Sequence, residues 1–250
     1  MSTIYSKLPK QMVFLGRPDG MSIEEFQNWY LSDHAKKIAA REDIDQYYAN
    51  KIVEPTKEML DAGWGFYPNE DHTEILAVDE IWAPEGYDVL ALYEGENVKI
   101  MCAYDGIEVS YKPCLAKWEV GEKSHFLKRM SLLKCLDGQR QIDFFNYWEK
   151  GHAPLALRTH TGPAMYNQEL YFKTLVPGET AWDGMCILDY WNVDSFQFGH
   201  FSRPTAQAEI TENCQKFLDA IRPLTAEEYV MKRDPEYINK IFANYKVVIV

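Results

Sequence analysis

Two histidines occupy matching positions in aromatic segments that lie far apart in the chain. FQNWYLSDHA spans residues 26–35 and contains His34, and FFNYWEKGHA spans residues 144–153 and contains His152. An imidazole has a reference pKa of about 6.5, so either side chain could take or give a proton near neutral pH. His160 lies shortly after the second segment in the chain. Two imidazoles in different surroundings could divide the roles of acid and base. The pattern predicts acid–base chemistry; histidines hydrogen-bonded in the core are the alternative.

Polar side chains follow both histidines at the same spacing. Tyr48 and Tyr166 stand equally far after His34 and His152, and a carboxamide stands two residues further along each copy. Residues i and i+2 share one face of a strand, so each phenol and its carboxamide could face the imidazole and stabilise a carbonyl or enolate oxygen. Ordinary cross-strand packing is the alternative. With one aromatic residue from each helix, the predicted substrate-binding residues are Tyr30, Tyr48, Asn50, Trp148, Tyr166 and Gln168.

Three carboxylates lie on the predicted third strands of the two copies. They are Asp79, Glu80 and Asp189, and the strand pattern leaves open which face each occupies. A carboxylate that reached a buried pocket would have a raised pKa and could serve as a base.

The two aromatic segments belong to a long internal repeat. A shift of 118 residues aligns Lys10 with Lys128 and continues without a gap to Tyr48 and Tyr166. A period this long indicates duplicated domains, because solenoid repeats have periods of roughly 20–50 residues. We therefore divide the chain into an N-terminal half, 1–118, and a C-terminal half, 119–250.

Each half has the predicted element order β-α-β-β-α-β. Ser22 and Glu25 form a capping-box pattern at the first helix, and Pro154 is expected to interrupt or restart the equivalent helix of the second half. Polar helical stretches are expected around 86–100 and 193–222, and last strands within 108–112 and 245–250. The segment 56–73 reads as an insertion whose aromatic residues could cover a pocket.

This element order is the ferredoxin-like one, with helices on one face of an antiparallel sheet. The bare face of each sheet needs a cover. Two linked halves can provide it for each other, so the predicted fold is α+β: two tandem halves packed sheet to sheet as a pseudo-dimeric α+β barrel.

Composition restricts the functional classes. The chain has a formal net charge of −12, which disfavours nucleic acid and anionic membranes as partners. No apolar run approaches the roughly 18 residues that a membrane span needs, and the N-terminus lacks the apolar core of a signal peptide. The five cysteines are scattered without CxxC spacing, so neither disulfides nor a zinc site is predicted and a cytoplasmic location is expected. Nucleotide-loop and metalloprotease motifs are absent, so no metal or other cofactor is predicted.

The second aromatic segment resembles the EthD-type branch of the dimeric α+β-barrel superfamily. The matching residues are Phe144, Tyr147, Trp148 and the run His-Ala-Pro-Leu that begins at His152. The first copy keeps the aromatic residues and His-Ala but has two lysines in place of Pro-Leu. The resemblance implies a substrate held between the helices and the sheet of a half. It also implies a choice among cofactor-free cyclases, dehydratases and decarboxylases, cofactor-free monooxygenases, haem-degrading enzymes and isomerases.

The resulting hypothesis is a cofactor-independent lyase or cyclase that acts on a small aromatic, phenolic or polyketide-like compound. His152 would be the principal acid/base and His34 its counterpart, with His160 in a supporting role. A cofactor-free or haem-linked monooxygenase and a non-catalytic carrier or accessory protein are the alternatives. The expected partner is a small hydrophobic aromatic substrate, and a homodimer is left open.

Overall fold

The computed structural model of the protein describes residues 2–64, 74–113, 118–244 and 246–249. The described strands are β1 (Ser2–Gly16), β2 (Gln46–Val53), β3 (Ala77–Trp82), β4 (Lys99–Lys112), β5 (Leu127–Cys135), β6 (Pro163–Val176), β7 (Gly184–Tyr190), β8 (Leu218–Lys232) and β9 (Lys246–Ile249). The α-helices are α1 (Ile23–Trp29), α2 (Ala35–Ala39), α3 (Lys57–Asp61), α4 (Gln141–Tyr147), α5 (Ala153–Thr159), α6 (Val193–Gly199), α7 (Ala206–Cys214) and α8 (Tyr237–Ala243). Two π-helical turns, Tyr30–His34 and Trp148–His152, and a 3-10 turn, Val89–Tyr93, complete the described helical elements.

Each half forms a four-stranded antiparallel sheet of ferredoxin-like order. The neighbours run β2-β3-β1-β4 in the first half and β6-β7-β5-β8 in the second. Two further antiparallel pairings, β2 with β8 and β4 with β6, join the sheets at both edges. Eight strands thus close into a barrel, which removes the exposed sheet edges. The predicted α+β class and barrel architecture are confirmed.

The barrel wall separates two kinds of core. Along β1, Met12 and Phe14 point into the barrel with residues of the second half, whereas Val13 and Leu15 point outward against the first half's helices. This is the two-residue alternation of a strand that is covered on both faces. A matching outer core lies under the helices of the second half, around Phe144.

The helix of each half contains a π-helical turn that ends at the repeated histidine. In the first half the predicted capping box is present: Ser22 accepts a hydrogen bond from the backbone N–H of Glu25. The π-turn follows directly and carries His34 at its last position. In the second half the π-turn ends at His152, and α5 restarts with Pro154 in its first turn, as expected from the missing N–H of proline. Single π-turns of this kind are often found at functional sites.

The predicted helices of the second crossover in each half are too long. The stretch 86–100 contains only the 3-10 turn, and 193–222 contains α6 and α7 but loses its last residues to β8. The physical reason is sheet pairing: Lys99 pairs with Gly16, and Leu218 pairs with Cys135, so these residues start strands.

A strand is present within 245–250, as predicted, but it is not the last strand of the second half's sheet, which is β8. β8 pairs with β5 and β2 and closes the barrel, whereas residues 246–249 form β9 on the N-terminal end of β1. Pro223 and two consecutive acidic residues give β8 the composition of a loop. One of them, Glu228, is nevertheless buried because it pairs with Lys128 inside the barrel. The strand predicted within 108–112 is present and forms the end of β4.

The segment predicted as an insertion contains α3 and Trp64, and its residues 65–73 lie outside the described part. Trp64 donates a hydrogen bond to Thr225 at 2.8 Å and packs 4.7 Å from the Phe196 ring, so this segment of the first half covers part of the second. Within the described residues, no helix combines the length and the apolar character required to cross a membrane.

Candidate functional site

The second half contains a small cavity between its helices and the outer face of β5, β7 and β8. Its volume is about 60 Å³, and three histidines line it: His152, His160 and His200. The rest of the lining is mostly apolar or sulfur-containing and includes Trp148 and Phe217. The fold therefore places two of the predicted catalytic residues, His152 and His160, at one cavity. It adds a third histidine, His200, that was not predicted.

His152 is held in one tautomer by its neighbours. Its Nδ1 lies 2.8 Å from Oδ1 of Asn213, whose own Nδ2 donates to the Tyr147 hydroxyl at 3.1 Å. In this orientation of the amide Oδ1 faces the ring, and an amide oxygen only accepts, so Nδ1 carries the proton and donates. The basic nitrogen of the neutral ring is therefore Nε2.

His160 is held in the same tautomer by a different partner. Its Nδ1 donates to the backbone carbonyl oxygen of His200, and the two imidazole rings stack with centroids 4.4 Å apart. A carbonyl can only accept, so Nε2 is again the basic nitrogen. The His200 ring is anchored in turn by a 2.6 Å hydrogen bond between its Nδ1 and the Tyr190 hydroxyl.

Burial keeps these imidazoles neutral. It lowers the pKa of His152 to about 4, against the opposing effect of the Asn213 hydrogen bond. It also lowers the pKa of His160 to about 4, and the pKa of His200 falls well below its ordinary value for the same reason. Desolvation disfavours the charged form of histidine. At neutral pH the cavity thus presents two imidazoles as bases.

A larger groove adjoins the histidine cavity. It has a volume of about 360 Å³ and lies between the end of α7 and the start of β8. Cys214, Leu218 and Ile221 line both the groove and the cavity. The groove falls in the size range of small-molecule sites, whereas the inner cavity has room for about two waters. A compound in the groove would approach the imidazoles across these three side chains.

The matching position in the first half is a closed hydrogen-bonded cluster. His34 Nε2 lies 3.1 Å from Oδ2 of Asp79, and the hydroxyls of Tyr30, Tyr47 and Tyr93 donate to the same carboxylate at 2.6–2.7 Å. All five residues are buried. Four donors occupy the carboxylate, so a substrate could reach it only by displacing a tyrosine. No carboxylate is among the described residues that line the histidine cavity, so Asp79 has no counterpart there.

The predicted tyrosine–carboxamide pairs lie on opposite sides of the barrel wall. Tyr166 and Gln168 face the helices: Gln168 Nε2 donates to the Tyr166 hydroxyl at 2.9 Å and to the Trp148 carbonyl at 3.3 Å. Tyr48 and Asn50 face the barrel interior instead, where Asn50 Nδ2 donates to Glu80 at 3.0 Å. The expectation that Tyr48 and Asn50 face the imidazole of His34 is therefore wrong.

A one-residue slip explains the difference. Tyr48 lies opposite Glu80 on β3, whereas Tyr166 lies opposite Leu188 on β7, and the ladders shift register at Tyr47/Tyr48 and at the start of β6. Side chains alternate along a strand, so a slip of one residue reverses the face of each residue that follows.

Two residues of the site, His200 and Asn213, were not predicted from the sequence. Neither has a matching residue at the repeat spacing, and both lie far along the chain from His152, His200 as the C-cap of α6 and Asn213 within α7. The signal available in the sequence was the enrichment of this segment in aromatic residues next to a histidine, FQFGHF, which by itself predicts only a buried helix face.

The described residues offer no metal site, and the histidine cavity offers no space of the size of a haem. They contain no group of three or more His, Cys, Asp or Glu side chains placed to hold a metal ion. The histidine cavity, at about 60 Å³, is far smaller than a porphyrin, so a haem does not fit between these helices and the sheet in the arrangement described.

Comparison with known proteins supports the fold. No family model and no curated protein matches the chain. Among solved structures, an anthrone oxidase-like protein superposes with a TM-score of 0.54 at 11% identity, covering 92% of this chain and 98% of that one. A protein proposed to be a monooxygenase from Lactobacillus acidophilus NCFM gives a TM-score of 0.48 at 11% identity, covering 91% and 97%.

A dimeric ferredoxin-like protein of unknown function from Bacteroides fragilis NCTC 9343 gives a TM-score of 0.32 at 15% identity, and covers 44% of this chain and 99% of that one. At these identities only the likeness to the anthrone oxidase-like protein bears on the fold, and none bears on the reaction. In fold, the chain is an α+β barrel built as a pseudo-dimer from two ferredoxin-like halves of one polypeptide.

Proposed function

We propose that the protein is a cofactor-independent enzyme that removes a proton from a small phenolic or polyketide-like compound at the histidine cavity of its second half. The observation that carries the proposal is the matched state of His152 and His160. Both rings are buried and neutral, both donate through Nδ1, and both are therefore bases at Nε2. The adjoining groove would hold the body of the compound.

The first candidate reaction is elimination of water from a β-hydroxy carbonyl compound. His152 Nε2 takes a proton from the carbon next to the carbonyl, and the Asn213 oxygen stabilises the imidazolium through Nδ1–H. The electron pair of the broken C–H bond forms the C=C bond as the C–O bond breaks. The proton passes from an imidazolium to the leaving hydroxyl group, so that one water leaves and the histidines return to their neutral state.

The second candidate reaction is oxidation by dioxygen, and the small inner cavity favours it. A volume of about 60 Å³ suits a diatomic molecule beside the imidazoles, while the compound stays in the groove. Removal of a proton makes a phenol or an activated methylene electron-rich enough to reduce dioxygen. A methylene and O₂ then give a carbonyl and one water, with four electrons passing from carbon to oxygen.

The site also favours the second half as the working half. In the first half the aligned histidine is bound to Asp79 in a closed cluster, whereas in the second half the histidines border a cavity. The same motif supports our further proposal that both halves, 1–118 and 119–250, are EthD-type domains, since each keeps the aromatic pair and His-Ala.

A screen of phenolic and polyketide-like compounds tests the proposal. Binding is followed by tryptophan fluorescence, product by mass spectrometry and dioxygen uptake by an oxygen electrode. We expect product from the wild type, a loss of about 100-fold or more in His152→Ala, typical of a missing general base, and little change in the matched control His34→Ala if that variant folds.

The oxygen electrode separates the two reactions, because elimination proceeds without dioxygen uptake. Equal turnover in wild type and in both His152→Ala and His160→Ala would contradict the proposal. Tight binding without product from any compound would favour the alternative of a carrier or accessory protein.

A further inference from the structure

A second cavity lies inside the barrel, on the opposite side of the wall from the histidines. It has a volume of about 470 Å³ and opens at the barrel end beside α8. Both halves line it: Gln46 and Tyr48 come from β2, Asp189 from β7 and Glu228 from β8. The proposed acid–base chemistry uses none of these residues.

Two buried polar side chains border this cavity without partners. Asp189 is 1% exposed, and neither of its carboxylate oxygens has a hydrogen-bond partner among the described residues. Gln46 is fully buried, and neither polar atom of its amide has a hydrogen-bond partner among the described residues. Buried polar groups are nearly always hydrogen-bonded in folded proteins. Two unpartnered groups that border one cavity therefore indicate a ligand that supplies their partners.

The charge around the cavity indicates a cation. Lys128, the cross-strand partner of Asp189 on β5, is already bound by Glu80 and Glu228, and no ion pair joins its ammonium group to Asp189. Carboxyl side chains outnumber ammonium groups in the barrel interior, where the buried titratable residues are Lys10, Glu80, Glu108, Lys128, Glu169, Asp189 and Glu228. Arg233 stands at the mouth of the cavity together with Asp234, so the mouth adds no net charge.

Aromatic side chains complete the cavity wall. Tyr48, Trp118 and Tyr237 line it, and Tyr48 meets the Trp82 ring edge-on at 5.0 Å. The same interior already holds one cation in this way, since Lys10 Nζ lies 4.4 Å from the centroid of the Trp82 ring. Aromatic faces beside a carboxylate favour an organic cation with a hydrocarbon body. A bare metal ion would need more oxygen ligands than the unpartnered groups offer.

We propose that the barrel interior is a binding site for a small protonated organic amine, whose ammonium group is bound by Asp189 and the Oε1 atom of Gln46 and whose carbon chain packs on Tyr48, Trp118 and Tyr237. The site is separate from the histidine cavity and does not depend on the reaction proposed there.

The ionisation of Asp189 gives the proposal a distinct signature. Burial raises the pKa of Asp189 well above its ordinary value, and the charges of Glu228 and Glu80 add to this, against the lowering effect of Lys128. An ammonium ion beside the carboxyl would favour its charged form. Binding of an amine should therefore release a proton from the protein.

Isothermal titration calorimetry with butylammonium, and with butanol as its neutral isostere, tests the site. The wild type should bind butylammonium and not butanol, and the heat should vary with the ionisation enthalpy of the buffer because a proton is released. Asp189→Asn should weaken binding about tenfold or more, the scale of a lost hydrogen bond to a charged group. His152→Gln, on the other side of the wall, should bind like the wild type.

Asp189→Asn removes a buried acid without changing its shape, so we expect it to fold, as circular dichroism and thermal melting can verify. Gln46→Met provides a second variant and should weaken binding as well. Equal binding of butanol, unchanged affinity in both variants, or no binding of butylammonium by the wild type would each overturn the proposal.

Discussion

Lys10 and Lys128, which the internal repeat aligns, bind the same carboxylate. Glu80 lies 2.5 Å from Lys10 Nζ through one oxygen and binds the Lys128 ammonium through the other. Lys128 belongs to the second half, and Lys10 also reaches across to Glu169 of that half at 2.7 Å. The two repeated lysines thus form a buried ionic cluster that links the two halves.

Glu80→Gln should therefore destabilise the whole barrel. Removing one partner of a buried ion pair leaves an uncompensated charge, and we expect a loss of about 3–5 kcal/mol in the free energy of unfolding. Urea denaturation at pH 7 measures it. As a control, Asp61→Asn breaks the exposed Lys57–Asp61 pair and should leave the midpoint unchanged. Similar midpoints for the two variants would show that Glu80 does not join the halves.

Glu169→Gln should stabilise the protein increasingly as pH rises. Burial and the nearby charges of Glu108 and Glu80 raise the pKa of Glu169 to about 8, despite Lys10. A raised carboxyl pKa means that the folded state binds the proton more tightly than the unfolded state does. This contribution is fully present below a pH of about 4.5 and is lost as pH rises through about 8.

Glu169→Gln has no titratable group at this position, so it does not lose this stability as pH rises. We expect its free energy of unfolding, relative to the wild type, to rise by roughly 4 kcal/mol between pH 4.5 and 8.5, which is the scale of a pKa difference of this size. Urea melts of both proteins at the two pH values give the difference directly. A difference that stays constant with pH would contradict a raised pKa at Glu169.

The histidine cavity should destabilise the protein in acid. The pKa of both His152 and His160 is lowered to about 4 in the folded state, so the unfolded state binds more protons between that value and about 6.5. The sign is thus a loss of stability as pH falls through this window, by about 3 kcal/mol for each histidine. In His152→Gln, the loss in the free energy of unfolding between pH 7 and pH 4 should be smaller by the contribution of one histidine. Urea melts at the two pH values measure it.

Asn213→Asp should raise the pKa of His152. The substitution places a carboxylate where the amide oxygen now lies 2.8 Å from Nδ1, and an adjacent opposite charge shifts a pKa by about 1–3 units. Titration of the histidine Cε1–H signals by NMR follows the change. Asn213→Leu is the matched control, since it removes the hydrogen bond without adding charge and should lower the pKa of His152 further.

Asp79→Asn should disturb stability without disturbing the proposed chemistry. The carboxylate accepts from the hydroxyls of Tyr30, Tyr47 and Tyr93, and an amide cannot accept all of these bonds. We expect a loss of about 3 kcal/mol or more, against about 1 kcal/mol for Tyr93→Phe, which removes a single donor. Product formation per folded molecule should be unchanged in both. A selective loss of turnover in folded Asp79→Asn would assign a working site to the first half.

Local pattern was enough to predict the first strand and the aromatic helix of each half, although it misplaced the last strand of the second half. The capping box at Ser22 and the apolar stripe before each histidine are features of neighbouring residues, and the repeat shows the same pattern twice. Helical period and capping depend on residues within one or two turns, so these features do not depend on contacts with distant parts of the chain. The placement of His34 and His152 at the ends of buried helices follows from them.

The orientation of the strands required the tertiary structure. Tyr48 and Tyr166 are aligned in sequence, yet a register slip places one inside the barrel and the other under the helices. The offset appears in the pairing of β2 with β3 and of β6 with β7, and no local pattern records the register of such a pairing.

The sequence by itself determined a duplicated α+β unit with an aromatic helix and a terminal histidine in each copy. Tertiary structure alone decided which histidine borders a cavity. His200 and Asn213 reach His160 and His152 only after the second crossover packs on the sheet, while Asp79 closes the matching position of the first half. The physical reason is that burial and hydrogen-bond partners, which set the ionisation and access of an imidazole, come from residues distant in the chain.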